Sequence, residues 1–126
     1  MNVKKQIAAA LLLSAAATVA SAHDWVQVGK NQADIMLVDA PSIAKSDYVR
    51  TAWVKDITLD IGGFSIEKAV FNCRTRYMAI YSGTSFDSRG NVLNVIAPSV
   101  SNIDATAAEV LPDSVGESAL EYVCAH

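Results

Sequence analysis

The sequence predicts an α+β domain in which an antiparallel meander of five or six strands packs a C-terminal helix against one face. Three observations predict it. Runs of β-branched and aromatic residues alternate with turn residues, as is typical of sequential antiparallel strands. The last segment has helical periodicity and contains Cys124. The only other cysteine is Cys73, in the middle of the predicted sheet, so a disulfide between them would link helix and sheet.

Residues 1–22 have the pattern of a secretory signal peptide: a basic start, an Ala-rich apolar run and the small-residue site Ala20-Ser21-Ala22. The apolar run is shorter than a membrane span requires, and no later segment has the length and apolarity of one. We therefore expect cleavage before His23, one domain over residues 23–126 and no membrane span. No cysteine near the cleavage site is available for a lipid anchor.

Charge and cysteine content restrict the class of function. The leader contains two of the ten basic residues and none of the thirteen acidic ones, which leaves eight against thirteen, a net charge of −5. An acidic domain argues against nucleic acid as the main partner. Two cysteines in a small exported domain favour a disulfide over free thiols, and they supply too few ligands for a metal site.

The first half of the mature chain contains three predicted strands. A tryptophan and two valines indicate the first within Asp24–Gly29, Ile35–Asp39 returns after a polar turn, and a third runs from Tyr48 to about Leu59. Ala40-Pro41-Ser42 ends the second strand, because proline fixes φ and has no backbone donor. Gly62-Gly63 supplies the next reversal.

The stretch Ile66–Ser82 contains no glycine or proline and is predicted as one long strand, bent or bulged near Asn72 to Arg76. Alternation along it would direct Phe71 and Cys73 towards the helix. Three basic side chains would then share the opposite face: Lys68, Arg74 and Arg76. They are the candidate partner-binding residues, and the alternative is a solvated face neutralised by neighbouring acids.

The rest of the chain leads to the helix. Residues 86–91 predict a turn, Val92–Ile96 a strand, and residues 99–111 a loop with a short helical turn around Thr106–Val110. The final helix extends to Ala125, and its start has the capping-box spacing of Ser114 and Glu117.

One broad face of this helix is apolar. At about 100° per residue, one arc contains Val115, Ala119, Leu120, Tyr122, Val123 and Cys124. Gly116 projects within the arc and predicts a close contact with the covered strands. Because a single amphipathic helix must bury its apolar face, we expect it across the sheet, with a small β-barrel plugged or flanked by the helix as the alternative architecture.

The chain contains a series of short motifs in the same order as one protein family. They are Trp25, Val38-Asp39 with Ser42-Ile43, Trp53, Cys73 with Arg76, Phe86-Asp87 with Gly90, and Pro112, Ser114 and Val115 leading to Val123-Cys124. Through them, residues 24–125 resemble the surface-adhesin protein E-like domains, which are small exported bacterial proteins. The resemblance implies a six-stranded antiparallel sheet with a disulfide-bound helix, a location in the periplasm or at the surface of a Gram-negative bacterium, and binding of host extracellular proteins. No binding motif of the family transfers to numbered residues here.

No catalytic or cofactor motif is present. Both histidines, His23 and His126, lie at the ends of the mature chain, where we expect fraying, and no nucleotide-binding loop occurs. Four aromatic residues are candidates for lining a pocket but at strand positions are more typical of a core: Tyr48, Trp53, Tyr77 and Tyr81.

The sequence thus predicts a non-enzymatic protein-binding module without cofactor, with a homodimer through a sheet edge as one mode of association. The alternatives are a periplasmic protein that binds a small ligand such as haem and a structural or assembly factor of the envelope. A hydrolase ranks last.

Overall fold

The structure is a computed structural model, and it describes residues 23–126. The predicted signal peptide lies outside the described residues. Eight strands, two α-helices and a single 3-10 turn at Ala40–Ser42 make up this part of the chain. The strands are β1 Trp25–Lys30, β2 Asp34–Asp39, β3 Ala44–Ser46, β4 Val49–Thr58, β5 Phe64–Asn72, β6 Tyr77–Phe86, β7 Val92–Ile96 and β8 Ala108–Glu109. The helices are α1 Val100–Thr106 and α2 Val115–Ala125.

All eight strands belong to one antiparallel sheet. Six of them follow the order β1-β2-β4-β5-β6-β7, while β3 pairs with β4 and β8 pairs with β6. The predicted antiparallel sheet with a C-terminal helix is confirmed, but the strand number of five or six is wrong. The additional strands β3 and β8 have only three and two residues, too few for a recognisable alternation. Within the described chain β1 and β7 do not pair, so the sheet is open and the barrel alternative is wrong.

The predicted long strand over Ile66–Ser82 is wrong, because this stretch is the hairpin of β5 and β6. The side chain of Asn72 makes the turn: its Oδ1 accepts hydrogen bonds from the backbone N–H groups of Arg74 and Thr75, each at 3.0 Å. Arg76 adopts a positive φ of 61° and donates its N–H to the Asn72 carbonyl at 2.8 Å. An asparagine side chain thus replaces the glycine or proline that usually identifies a turn.

Helix α2 begins and packs as the sequence predicts. Ser114 Oγ accepts a hydrogen bond from the Glu117 N–H at 3.1 Å, and Glu117 Oε1 in turn accepts from the Asp113 N–H at 3.2 Å. The helix packs mainly on β1 and β2. Its buried residues join those of the strands in one core: Met36, Val38, Ala52, Val54, Ala69, Phe71, Ala119, Leu120 and Val123.

The predicted disulfide is confirmed. Cys73 and Cys124 are bonded at an S–S distance of 2.03 Å, which joins the β5–β6 turn to the last turn of α2. A cross-link over 51 residues removes much of the conformational entropy of the unfolded chain. The bond therefore holds the helix on its face of the sheet.

The glycine that allows close helix packing is Gly29 and not Gly116. A Cβ atom at Gly29 would lie 2.8 Å from Ser118 Cβ, closer than carbon atoms pack. A Cβ at Gly116 would have its nearest neighbours at 3.6 Å and 4.0 Å, ordinary contact distances. The close contact predicted at Gly116 is wrong. A β-bulge at Val28, between the paired residues Gln27 and Gly29, brings Gly29 under the helix.

The outer edge of β6 is covered by three successive segments. β7 pairs with its second half, β8 pairs with its first two residues, and α1 fills the gap between them. Thr106 Oγ1 accepts a hydrogen bond from the Ile80 N–H at 2.7 Å, and Asn102 Nδ2 donates to the Tyr81 carbonyl at 2.9 Å. The predicted helical turn around Thr106–Val110 is wrong in position, because the helix precedes it and starts after a Ser99 cap.

Candidate functional site

The face of the sheet opposite α2 is bordered by α1 along β6 only, and we call it the open face. Its β4 and β5 residues follow from the register, in which Val49 pairs with Asn72 and Trp53 with Lys68. They are Val49, Thr51, Trp53, Lys55, Ile57, Phe64, Ile66, Lys68, Val70 and Asn72. Antiparallel sheets with one uncovered face usually expose polar side chains there, but six of these ten residues are large and apolar.

Charge is divided between the two faces of β4 and β5. The open face contains Lys55 and Lys68 and no carboxylate among its β4 and β5 positions. Asp56 and Glu67 alternate to the other face, so the acids of these strands lie on the side of α2. Residues 23–126, with a formal net charge of −5, therefore present an apolar surface with two lysines on one side of the sheet.

Each of the two lysines on the β4 and β5 part of the open face lies over an aromatic ring. Lys55 Nζ is 4.7 Å from the centroid of Phe64, and Lys68 Nζ is 5.7 Å from the centroid of Trp53. The Phe64 ring also stacks on Phe86 of β6, with centroids 4.8 Å apart. Cation–π contact holds the ammonium groups close to the apolar surface, where a partner can meet both.

The three basic residues singled out from the sequence do not form one patch. Lys68 lies on the open face, whereas Arg74 lies in the β5–β6 turn with its Cζ 4.0 Å from the Tyr48 ring centroid. Arg76 contacts α2: its Nη2 is 3.0 Å from Glu117 Oε2 and 3.6 Å from Glu121 Oε1.

The expected position of Arg76 on the face away from the helix is wrong, because the turn interrupts the alternation. The sequence analysis also missed Lys55. It lies two residues after Trp53 on the same strand, and this spacing was the signal that could have identified it.

Two apolar grooves lie along the open face. The larger, about 510 Å³, is lined by Val49, Val70, Asn72, Thr75, Tyr77, Met78, Ala79, Ile103 and Ala107. The smaller, about 300 Å³, is lined by Trp53, Ile66, Ser82, Gly83, Thr84, Phe86, Val95, Ile96 and Pro98. Both are open to solvent along one side. Of the four aromatic pocket candidates, Tyr77 and Trp53 line these grooves.

His23, the first described residue, makes defined contacts, so the fraying expected there is wrong. His23 Nδ1 lies 2.6 Å from Asp39 Oδ2, and the Asp24 N–H donates to Asp39 Oδ1 at 2.8 Å. The side chain of Asp39 is only 5% exposed, so these contacts satisfy a buried carboxylate. The His23 ring also stacks on Trp25 with centroids 5.4 Å apart. Neither groove contains His23 or Asp39 in its lining.

Three carboxylates lie close together on the side of the sheet that α2 covers: Asp34, Asp56 and Glu67. Burial, reinforced by the negative charges of Asp34 and Glu67, raises the pKa of Asp56 to about 6. Within residues 23–126, no group of three or more histidine, cysteine and acidic side chains has the arrangement of a metal site. The cluster is therefore an electrostatic cost to the fold.

The edge strand β7 is the most exposed apolar segment next to the open face. All five of its residues are exposed, with Val92 at 58%, Leu93 at 66% and Val95 at 62%. Natural sheet edges usually carry charged residues or are covered, since unpaired backbone groups and apolar side chains promote association.

No helix among the described residues is long and apolar enough to cross a membrane. No protein-family model matches the chain, and comparisons with curated proteins and with solved structures gave no match either.

Proposed function

We propose that the domain is an exported, non-enzymatic module that binds a protein partner on the open face of its sheet. The observation that carries the proposal is an apolar sheet face centred on Trp53, Ile66 and Val70, with two lysines on it and no element of the described chain across it. A contiguous apolar surface that the chain leaves only partly buried is typical of interaction sites. An aromatic residue at its centre is typical of the residues that contribute most to binding.

The chemistry of the face defines the partner. The rings of Trp53 and Phe64 favour an apolar or aromatic segment, and Lys55 and Lys68 favour carboxylates beside it. Because the domain is negatively charged overall, the rest of its surface repels an acidic partner. The open face therefore determines the orientation in which such a partner binds. The partner is therefore a protein that presents acidic side chains next to apolar ones.

The resemblance to surface-adhesin protein E-like domains supports a finer form of the proposal, in which this partner is a host extracellular protein. The Cys73–Cys124 disulfide supports residence in an oxidising compartment such as the periplasm or the cell surface. A periplasmic partner would instead make the domain an assembly factor of the envelope, with the same binding face.

A small-ligand protein is the second candidate, and the groove of about 510 Å³ favours it, because its size is within the range of ligand sites. Such sites bury most of the ligand surface, however, whereas both grooves here are open along one side. The shape of the surface therefore favours a protein.

Replacing the two lysines tests the proposal. The mature chain, the Lys55→Gln/Lys68→Gln variant and a control Lys45→Gln/Arg89→Gln variant should be assayed by biolayer interferometry against host matrix proteins and heparin. Both control residues are exposed, and Lys45 pairs with Arg50 on the α2 side of the sheet, so net charge changes equally in the two variants. We expect the open-face variant to bind at least about tenfold more weakly at low salt, with a smaller difference at physiological salt.

Equal binding by the open-face variant and the control would contradict a role for this face. Failure of the wild type to bind any of these partners would remove the support for a host ligand, and fractionation of the native bacterium would then decide between surface and periplasm. Binding of haem in a parallel absorbance titration would favour the second candidate.

A further inference from the structure

We propose that β7 is a self-association strand, and that two copies of the chain pair antiparallel through it across a two-fold axis. This surface is distinct from the open face and takes a different partner, a second copy. In the described part of the chain β7 pairs only with β6, so its outer side has backbone N–H and C=O groups without strand partners. These groups are what another strand requires for pairing.

The two edges of the sheet differ in how they are protected. The edge strand β1 contains Lys30, follows Asp24 directly, and has α2 packed on it. By contrast, residues 90–103, which include all of β7, contain no charged side chain. Charged residues and covering helices are the usual means by which proteins prevent edge pairing, and only β1 has them.

The composition of β7 favours a second copy as the occupant. A two-fold axis sets a strand against itself, so any charged residue would meet its own like charge or lie diagonal to it. Val92, Leu93, Val95 and Ile96 avoid this repulsion and gain apolar contact instead. With Val95 at the axis, Asn94 lies opposite Ile96 of the other copy, and its neutral amide adds no like-charge repulsion.

The size of the interface limits its strength. A bulge leaves Leu93 without a partner on β6, and Pro98 follows shortly after the strand, so the regular segment is only Asn94–Ile96. Interfaces below about 1,200 Å² are typical of weak and transient complexes. We therefore expect a dimer that dissociates in the micromolar range.

The geometry of such a dimer affects the open face. Antiparallel pairing by symmetry requires an axis perpendicular to the sheet, so the open faces of both copies point to the same side. Val95 pairs with Thr84 and lines the smaller groove, so the smaller grooves of the two copies would lie next to the dimer axis. The dimer would thus present two open faces side by side, and a partner with repeated binding segments would bind both with higher avidity.

A charge-complementation experiment tests the proposal. Sedimentation velocity of the mature chain should be recorded from about 1 to about 500 μM for wild type, Val95→Lys, Val95→Glu and an equimolar mixture of the two variants. We expect the wild type to dimerise with concentration and each variant alone to lose dimerisation by more than about tenfold in Kd, because like charges meet near the axis. The mixture should form heterodimers, because the charges then have opposite signs.

Leu111→Lys is the matched control, since Leu111 is 72% exposed and lies outside the sheet. It should dimerise like the wild type. The pair Leu93→Lys and Leu93→Glu provides a second test if the Val95 variants melt at lower temperature. A wild type that stays monomeric over the whole range would overturn the proposal. So would dimerisation of Val95→Lys at wild-type strength, or a mixture that remains monomeric.

Discussion

The two faces of the central strands β4 and β5 are both rich in apolar residues, but only one of them is covered by a helix. On one face, Phe71, Ala69 and Val54 are buried beneath α2, and a disulfide fixes the helix there. On the other face, Trp53, Ile66 and Val70 remain half-buried without a helix across them. Strand alternation thus places one apolar surface beneath α2 and leaves the other without a covering helix. When a strand has apolar residues on both faces, its sequence therefore does not indicate which face the domain covers with its own helix.

The largest expected effect comes from the same substitution on the two faces of β5. Phe71→Ala removes a fully buried ring from the α2 face and should lower the free energy of unfolding by about 3–5 kcal/mol. Phe64→Ala on the open face should cost less, about 1–2 kcal/mol, because its ring is only partly buried. Urea unfolding followed by circular dichroism measures both. Equal losses would show that the open face is covered in solution, as it would be in a tight oligomer.

An intermediate effect is expected at the contact between β1 and α2. Gly29→Ala would place a Cβ 2.8 Å from Ser118 Cβ and should destabilise the domain by about 1–3 kcal/mol. Gly116→Ala meets nothing closer than 3.6 Å and should instead stabilise it by up to about 1 kcal/mol through helix propensity. The two melting temperatures should therefore shift in opposite directions. A neutral Gly29→Ala variant would mean that the helix can move away from the strand.

The smallest effect concerns the carboxylates on the α2 side. Since the pKa of Asp56 is raised to about 6 in the folded state, the neutral acid is favoured by folding, and its contribution to stability is full below about pH 4. That contribution is lost as pH rises through about 6. Asp56→Asn should therefore stabilise the domain near pH 7.5 by about 1 kcal/mol, a value discounted for partial exposure, and by little near pH 4.

Urea midpoints of wild type and Asp56→Asn at the two pH values measure this difference. Asp60→Asn is the matched control, because it removes one carboxylate at an exposed position in the turn after β4, outside the cluster. An Asp56→Asn variant that is equally stable at both pH values relative to wild type would contradict the raised pKa.

The part of the fold with strong local signals was predictable. The Ser114 cap, the apolar arc through Leu120 and Val123, and the two cysteines together specified the helix and its attachment to the sheet. The cap and the apolar arc follow from residues close in sequence, and the disulfide follows because only one pairing of two cysteines exists.

The features that were missed depend on single side-chain contacts. The Asn72 turn contains no glycine or proline, so the sequence predicts one strand in place of β5 and β6, and alternation then places Arg76 on the wrong side. The bulge that brings Gly29 against Ser118 leaves no pattern in the sequence. Of the three predicted site residues, Lys68, Arg74 and Arg76, only Lys68 lies on the open face, while Lys55 follows from the register of β4 and β5.

The most direct test of the central claim is to observe Trp53 while a partner binds. The mature chain labelled with 5-fluorotryptophan gives two ¹⁹F signals, from Trp25 and Trp53, and a Trp25→Phe variant assigns them. With a host protein found to bind by interferometry, we predict that the Trp53 signal shifts and loses its solvent isotope effect as its ring becomes buried. The Trp25 signal, from the protected edge, should keep its solvent isotope effect. A Trp53 signal that is unchanged at saturating partner would contradict the assignment of the open face as the binding surface.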